Sequence, residues 1–305
     1  MIFFIVNRRS GNGQGFKVWK RIRLLLRKKG VHYQVKFSES PDHAAQILKK
    51  HVKEAAQVKA VAVIGGDGTL QSIVGELAGT RIPLGVIPAG SGNDFARALG
   101  IPSSPKKALD YLLTGAIQKI DLAQNGNRTF ITVVGIGLDG KLAQNVNQSK
   151  YKKWFNRVRM GRLAYIVSFL QVFTRYRPSL SVSIQVDDKE MTFSDVWLIA
   201  VANIPNYGGG MNICPHASYT DGFFDICIVH GVSRFEALRL FLRVITGKHT
   251  SCSGVSMLKG KKVKVLSSSE MIAHGDGEII GETPIDISIR QEAIHIICKE
   301  NRRVS

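Results

Sequence analysis

The chain has 305 residues, of which 44% are hydrophobic and 21% are charged, a composition typical of a globular protein and not of a disordered one. The length favours two domains over one. Lys and Arg number 42 against 23 Asp and Glu, and the resulting charge of +19 predicts an anionic partner. Charge alone does not distinguish nucleic acid, a nucleotide and an acidic membrane surface.

The cysteines and the first residues indicate a reducing compartment. None of the four scattered cysteines forms a C-x-x-C pair, which favours free thiols. Met1–Val6 is apolar, but no basic region precedes it and Asn7–Arg9 follows at once, which fits a core strand better than a signal peptide. No apolar run approaches the ~18 residues of a membrane span. We therefore expect a cytoplasmic protein that associates at most peripherally with a membrane.

The first part of the chain alternates apolar runs with helical segments. The predicted strands are Ile2–Val6, Val31–Phe37, Ala60–Ile64 and Leu84–Ile87. The predicted helices are Phe16–Lys29, His43–Ala56, Leu70–Ala78, Phe95–Leu99 and Lys106–Leu113. This alternation predicts a doubly wound parallel α/β sheet, whose ligands bind at the carboxyl ends of the strands.

Three glycine-rich loops follow strands at that edge: Asn7–Gly15, Gly65–Thr69 and Pro88–Asp94. A glycine loop before a helix N-terminus attracts anions, because backbone N–H groups and the helix dipole face the ligand. Asp67 would repel a phosphate unless Mg²⁺ lay between them, and Mg²⁺ is usually held by one or two carboxylates with phosphate oxygens. The loops therefore predict a nucleotide phosphate site.

Beyond Asp121 the apolar runs become short and alternating, which predicts an antiparallel β-sandwich. The predicted strands are Thr129–Val134, Ser181–Val186, Val196–Val201, Phe223–Val229, Val263–Ser267, Ile285–Ile289 and Ile294–Cys298. We place the domain boundary near residues 122–128, with a nucleotide-binding domain over 1–125 and a sandwich over 126–305. The sequence leaves open whether the last strand returns to the first domain.

Two helical segments interrupt the second domain, at residues 151–159 and 163–174. The first has Tyr151, Trp154 and Phe155 on one face and lysines and arginines on the other. It is either a core-packing helix with a solvated basic face or an interfacial helix on anionic lipid.

Two acidic segments of the second domain could take part in chemistry. Phosphoryl transfer needs a base near the accepting hydroxyl, and Asp276 or Glu278 could serve; the alternative is an ordinary Asp-Gly turn. Asp221, at a strand start, is either part of a turn or a ligand that binds a cation together with nearby carbonyls.

In combination these segments resemble the diacylglycerol kinase catalytic family, bacterial lipid kinases related to sphingosine and ceramide kinases. The matching motifs, in the family's order, are Gly-Gly-Asp-Gly-Thr at 65–69, Gly-Ser-Gly-Asn-Asp-Phe-Ala-Arg at 90–97, Gly-Ile-Gly-Leu-Asp at 135–139, Pro215–Asp225 and Asp276-Gly277-Glu278. The resemblance implies a nucleotide-binding domain of the NAD kinase/phosphofructokinase type followed by a β-sandwich, with ATP and Mg²⁺ as requirements.

The resemblance also implies roles for single residues. The nucleotide-contacting positions it implies are Asn7, Arg8, Arg9, Ser10, Gly11, Ser38, Gly65, Gly66, Asp67, Gly68, Thr69, Leu70, Gln71, Ser72, Gly90, Ser91 and Asn93. The acidic network around the catalytic Mg²⁺ would be Asp67, Asp94 and Asp121. Glu278, or else Asp276, would be the base, and Asp221 with the carbonyls of Ser218 and Phe223 would form a structural Mg²⁺ site.

Two motifs depart from the family pattern. Arg8 stands where the family usually has proline, and the second loop reads Gly-Ser-Gly-Asn-Asp in place of Gly-Thr-x-Asn-Asp. The leading hypothesis is transfer of the γ-phosphate of ATP to a lipid hydroxyl, with diacylglycerol as substrate, at an anionic membrane surface. A kinase of a water-soluble substrate such as NAD is one alternative, and a non-catalytic nucleotide- or nucleic-acid-binding protein is another. No nucleic-acid-binding motif is visible.

Overall fold

A computed structural model describes residues 1–52, 58–148 and 169–299. The chain divides into two compact units. Met1–Asp121 together with the segment from Gln291 form the first, here called the α/β unit, and Leu122–Arg290 form the second, the sandwich unit. The predicted basic helix at 151–159 lies outside the described residues. Within them, no helix is both long and apolar enough to cross a membrane.

The α/β unit is built on a parallel sheet. Its strands are β1 (Ile2–Asn7), β2 (Tyr33–Ser38), β3 (Ala60–Gly65) and β4 (Leu84–Pro88), with β5 (Ala116–Asn125) running on into the sandwich unit. Its helices are α1 (Ser10–Lys28), α2 (Pro41–Val52), α3 (Asp67–Leu77), α4 (Asp94–Ala98) and α5 (Pro105–Thr114). The order β2-β1-β3-β4 is continued by the carboxyl half of the last strand, whose Ile296 pairs with Leu84.

Continuous apolar strands form the core of this unit. Every residue of β3 and β4 is buried, and so is β1 from Phe3 onward. Burial on both faces is the expected state of a parallel strand covered by helices on each side. The predicted doubly wound sheet is therefore confirmed.

Two helices of this unit begin three or more residues earlier than predicted. The first begins at Ser10 and not at Phe16, but Gly11, Asn12 and Gly13 within it have left-handed φ values of 55°, 60° and 87°. A Cβ on Gly11 would lie 2.3 Å from the carbonyl oxygen of Ala89, so a side chain has no room there. Helix α3 begins at Asp67, which places the glycine loop in its first turn.

Within the described residues, the sandwich unit has two large antiparallel sheets and one two-stranded antiparallel ribbon. Its strands are β6 (Arg128–Phe130), β7 (Val133–Gly137), β8 (Ser179–Val186), β9 (Lys189–Val196), β10 (Leu198–Ala202), β11 (Asn206–Tyr207), β12 (Met211–Asn212), β13 (Phe224–Val229), β14 (Val255–Gly260), β15 (Lys262–Ser267), β16 (Ile272–Gly275), β17 (Glu278–Glu282) and the first part of β18 (Ile285–Cys298). Helices α6 (Leu138–Gln148) and α7 (Arg234–Val244) and helical residues 169–175 accompany them.

One core joins the two sheets. The first sheet has the order β14-β13-β10-β7-β16-β17, and in the second β15 pairs with both β8 and β18. Ile136 and Ile226 of the first sheet lie in the same buried cluster as Ile184 and Val265 of the second. The predicted antiparallel sandwich is confirmed.

Several elements of this unit differ from the prediction. The predicted strand Thr129–Val134 is two strands, because the backbone N–H groups of Ile131 and Thr132 between them bind the Asp276 carboxylate and not a neighbouring strand. The predicted strands at 285–289 and 294–298 are parts of one strand, β18. The sequence patterns do not predict helices α6 and α7 or strands β9, β11, β12, β14, β16 and β17.

Candidate active site

The three glycine loops of the α/β unit touch one another. Backbone N–H of Ala89 donates to Gly65 O at 2.8 Å, and Ser10 Oγ donates to Ala89 O at 3.2 Å. A Cβ on Gly66 would lie 2.8 Å from the Cα of Gly90, so the β3 and β4 loops are in backbone contact. Glycine allows this approach, and Gly68 in the first turn of α3 is exposed, as binding of a phosphate requires.

A buried polar pair links the β1 loop to α3. Asn7 Nδ2 donates to Thr69 Oγ1 at 2.8 Å, and Asn7 Oδ1 accepts from the backbone N–H of Arg9 at 3.1 Å. Ser38 lies beside Asn7 in the sheet, and its Oγ is fully buried with no hydrogen-bond partner among the described residues. Since buried polar atoms are nearly always hydrogen-bonded, this hydroxyl fits a bound nucleotide.

The remaining predicted nucleotide positions lie in or beside these loops, in different environments. Arg8 and Arg9 form ion pairs with Glu39, at 3.3 and 3.0 Å. Leu70 is buried in the core, and the hydroxyl of Ser72 donates to the carbonyls of Pro41 and Thr69, so these two side chains serve the fold. The positions on the loops themselves are Gly65, Gly68, Gly90, Ser91 and Asn93, and Gln71 lies in helix α3.

Two carboxylates, those of Asp67 and Asp94, lie beside the β3 and β4 loops. Asp67 Oδ2 and Asp94 Oδ2 lie 3.0 and 3.6 Å from the position that a Cβ on Gly92 would take. Burial and the negative charge of Asp94 raise the pKa of Asp67, although its Oδ1 accepts from the backbone N–H of Phe95 at 3.3 Å. Arg97 binds Asp94 Oδ1 at 2.6 Å. Arg97 thus offsets the charge of Asp94, and the partly desolvated Asp67 carboxylate beside it is a group that a cation would stabilise.

The donor set fits magnesium. Two carboxylate oxygens near a phosphate cradle are the usual protein share of a Mg²⁺ site, the remaining ligands being phosphate oxygens and water. Asp121 is buried, and its Oδ1 accepts from the backbone N–H of Glu292 at 2.8 Å. Among the described residues no three His, Cys, Asp or Glu side chains are grouped closely enough to hold a metal.

In the sandwich unit, the Asp276 carboxylate holds the break between β6 and β7. Its Oδ2 accepts from Ile131 N at 2.8 Å, and its Oδ1 accepts from Thr132 N at 2.8 Å, from the Thr132 hydroxyl and from Val133 N at 3.4 Å. Burial raises the pKa of Asp276, and these hydrogen bonds oppose the rise. Glu278, at the start of β17, is exposed. The two predicted base candidates thus have opposite environments.

A buried imidazole supports the turn that carries both residues. His274 Nε2 lies 2.9 Å from Asp139 Oδ2, Tyr207 Oη donates to the same oxygen at 2.7 Å, and Gly277 N donates to His274 Nδ1 at 3.1 Å. Burial by itself would lower the pKa of His274, but the Asp139 carboxylate outweighs it and the pKa lies above its usual value. This His–Asp pair therefore ties α6 to the Asp276–Glu278 turn.

Gly135 is the position that makes room for this pair. A Cβ there would lie 2.2 Å from Asp139 Oδ2 and 2.4 Å from His274 Nε2. Because a methyl group would separate two buried polar groups, Gly135→Ala is expected to lower the free energy of unfolding by about 2–4 kcal/mol in urea titrations. The double variant with His274→Ala should lose less than the sum of the two single losses. Additive losses would show that the clash lies elsewhere.

At the predicted structural Mg²⁺ site, a lysine holds the carboxylate. Lys259 Nζ donates to Asp221 Oδ2 at 2.8 Å and lies 3.9 Å from Asp225 Oδ2, while Asp221 Oδ1 accepts from Phe223 N at 3.1 Å. The hydrogen bond with Asp221 raises the pKa of Lys259. Both oxygens of Asp221 are therefore engaged, one of them by a positive charge, and Mg²⁺ at the predicted site of Asp221, Ser218 and Phe223 would have to take the place of Lys259.

The role of Lys259 can be tested by thermal unfolding. Lys259→Met leaves two neighbouring carboxylates without their cation, and the midpoint of unfolding in EDTA should fall by about 2 °C, as expected for a partly exposed pair. Added Mg²⁺ should restore the midpoint of this variant and change that of the parent little. Lys261→Met is the matched control, because Lys261 lies over the Phe223 ring and has no ion pair with Asp221. A larger response to Mg²⁺ in the parent than in Lys259→Met would contradict the assignment.

Comparison with known protein families and proteins shows to which family this chain belongs. Residues 1–125 match the diacylglycerol kinase catalytic domain, and residues 132–298 match the YegS C-terminal NAD kinase beta sandwich-like domain. A diacylglycerol kinase of Mycobacterium tuberculosis is 33% identical over 302 residues, which cover 96% of this chain and 93% of that protein. The chain belongs to the diacylglycerol kinase family.

Further relatives agree with this membership. A diacylglycerol kinase of Bacillus subtilis is 32% identical over 255 residues, 82% of either chain. The crystal structure of a diacylglycerol kinase from Bacillus anthracis, 21% identical, has the same fold with a TM-score of 0.74, covering 98% of this chain and 97% of that one. The predicted family is confirmed, and the chain is a kinase of the lipid kinase type.

The diacylglycerol kinase fold also places residues that sequence reasoning missed. Asp139 is part of a sequence motif, but no sequence pattern assigns a role to His274 or Lys259. Their partners lie far away in the sequence, at separations of 135 residues for Asp139–His274 and 38 for Asp221–Lys259, so no local pattern marks them. Helix α7 did carry a signal: Ser233 and Glu236 form a capping box directly before an apolar run.

Proposed function

We propose that this protein is an ATP- and Mg²⁺-dependent lipid kinase that converts diacylglycerol to phosphatidic acid. The observation that carries the proposal is the phosphate cradle of three touching glycine loops with the Asp67–Asp94 pair at its mouth. A nucleotide triphosphate needs both parts, since backbone N–H groups bind phosphate oxygens and the carboxylates require a bridging cation. Relatives named diacylglycerol kinase supply the substrate class.

The nucleotide would be held by the α/β unit. The first turn of α3, capped by Gly66 without a side chain, offers N–H groups to the phosphates, and the buried Ser38 hydroxyl offers one further donor. Asp67 and Asp94 would hold magnesium, which when bound neutralises charge on the phosphates. The Asn7–Thr69 hydrogen bond keeps the β1 loop against α3.

Glu278 is the residue we assign as the proton acceptor. Both oxygens of Asp276 already accept hydrogen bonds from residues 131–133, so Asp276 positions the turn, whereas Glu278 is exposed at the beginning of β17. In the reaction the lipid hydroxyl oxygen bonds to the γ-phosphorus as the bond between the γ-phosphorus and the β,γ-bridging oxygen breaks. ADP leaves with that electron pair, and the hydroxyl proton passes to Glu278.

The charge of +19 supports a membrane setting for the reaction. Diacylglycerol does not dissolve in water, and an anionic bilayer surface attracts a cationic protein through forces that salt weakens. Binding to vesicles should therefore decrease as salt concentration rises.

The test is transfer of label from γ-labelled ATP to lipids in mixed micelles, with diacylglycerol among several candidates. Label in diacylglycerol that requires Mg²⁺ supports the proposal. ADP formation with NAD and no labelled lipid would favour a kinase of a water-soluble substrate. The family matched by the second domain has NAD kinase in its name. Nucleotide binding without transfer to any acceptor would favour a binding protein.

A further inference from the structure

Helix α7 of the sandwich unit is firmly built on its inner face. Its N-terminus is fixed by the capping box, in which Ser233 N donates to Glu236 Oε2 at 2.8 Å. Ala237, Leu240 and Val244 are buried against the cluster that contains Phe173 and Trp197. The exposure of its outer face is therefore not a sign of a loosely attached helix.

The outer face of α7 carries an apolar stripe. Phe235, Leu242 and, one residue beyond the helix, Ile245 are 64%, 61% and 58% exposed. Between the first two lies Leu238, which is half-buried because it also packs against the inner cluster. Spacings of three, four and three residues place all four side chains on one side of a helix. Only nine large apolar side chains are exposed among the described residues, and three of them belong to this stripe. Such concentration marks an interaction surface.

Positive charge borders the stripe. Arg239 and Arg243 are exposed along one side of it, and the Arg239 guanidinium lies 4.6 Å from the centroid of the Phe235 ring. Lys248 is exposed just past the end of the helix. The acid of the helix, Glu236, is engaged in the capping box at the N-terminus. The face therefore combines apolar side chains with a cationic border. It suits a partner whose interior is apolar and whose surface is anionic.

We propose that the α7 stripe, formed by Phe235, Leu238, Leu242 and Ile245, seats this protein on an anionic lipid bilayer. The apolar side chains enter the boundary between headgroups and acyl chains, and Arg239 and Arg243 meet the lipid phosphates. A second protein copy would bury the stripe equally well, but two cationic faces would repel each other whereas anionic lipid neutralises them. The inference rests on the proposed lipid substrate and adds the surface that meets the membrane.

The test is co-sedimentation of the full chain with vesicles of phosphatidylcholine, with and without phosphatidylglycerol. Phe235→Ser with Leu242→Ser should lower the partition coefficient on anionic vesicles at least tenfold. Arg239→Gln with Arg243→Gln should remove most of the preference for anionic vesicles. Leu180→Ser with Leu266→Ser is the matched control, since both leucines are exposed on strands of the same unit, at 75% and 42%, and it should bind as the parent does.

Several outcomes would overturn the proposal. Parental binding by the Phe235/Leu242 variant would do so, as would an equal loss in the Leu180/Leu266 control. A dimer in light scattering that the Phe235/Leu242 variant converts to monomer would assign the stripe to a second copy. Transfer of phosphate to a short-chain diacylglycerol in solution separates the two proposals. The Phe235/Leu242 variant should keep this activity. Its absence in the parent would overturn the proposal of diacylglycerol as substrate and leave the vesicle result to stand alone.

Discussion

Asp67→Asn is expected to lower kcat for phosphoryl transfer about 10³-fold while the fold stays as stable as before or becomes more stable. The catalytic loss is expected because only one of the two proposed magnesium-binding carboxylates remains. Stabilisation by a metal of the charge on the transferred phosphoryl group is worth several kcal/mol. The stability follows because burial and the neighbouring Asp94 raise the pKa of Asp67, so its ionised form disfavours the folded state at neutral pH. An asparagine Oδ1 still accepts from Phe95 N.

The measurement pairs initial rates with thermal unfolding in EDTA, so that loss of activity through unfolding is recognised. Asp42→Asn is the matched control, because Asp42 stands in the first turn of α2 as Asp67 does in α3, without a glycine loop around it. It should leave kcat within about twofold of the parent value. A kcat for Asp67→Asn within tenfold of the parent would remove Asp67 from the proposed machinery.

Glu278→Gln and Asp276→Asn should both lower kcat, but only the second should weaken the fold. Loss of a general base costs about 10²- to 10⁴-fold in rate, and the exposed Glu278 makes no contribution to the core. Asparagine at 276 would turn an amide N–H₂ toward the donors at residues 131–133. Because buried donors would lose their acceptor, the free energy of unfolding should fall by about 2–4 kcal/mol.

Urea unfolding and initial rates on the same preparations separate the two roles. Glu282→Gln, at the other end of β17, controls for loss of an exposed carboxylate on this strand. Glu278→Gln with parental kcat would show that another group accepts the proton. Asp276→Asn with unchanged stability would show that its four hydrogen bonds do not hold the β6–β7 break.

The parallel sheet could be predicted because its signal is local. Ile2–Val6 is an unbroken apolar run, and Gly65–Thr69 follows another, so strand, loop and helix start are all encoded within about ten residues of one another. Helix α7 was missed although its capping box is local too. Its apolar residues occupy the outer face as well as the inner one, as Phe235 and Leu242 show, and this hides the helical period.

The parts of the site that escaped prediction depend on distant partners. Asp276 could be recognised as a candidate from its motif, but its role depends on N–H groups 143–145 residues earlier in the chain. Asp221, which the sequence predicts as a metal ligand, forms an ion pair with Lys259 in the structure. Sequence spacing carries no information about either contact, since both arise from the pairing of strands in the sandwich.

The path of β18 determines the order in which the molecule can be completed during synthesis. Its first residues pair with β15, and its last ones, Ile296 and Ile297, pair with β4, which was made some two hundred residues earlier. Until Ile296 and Ile297 have been synthesised, β4 is an unpaired edge strand of the nascent chain, and strands of other chains can pair with it. A polypeptide cut after Asp121 would keep that edge permanently, so the N-terminal part alone should aggregate.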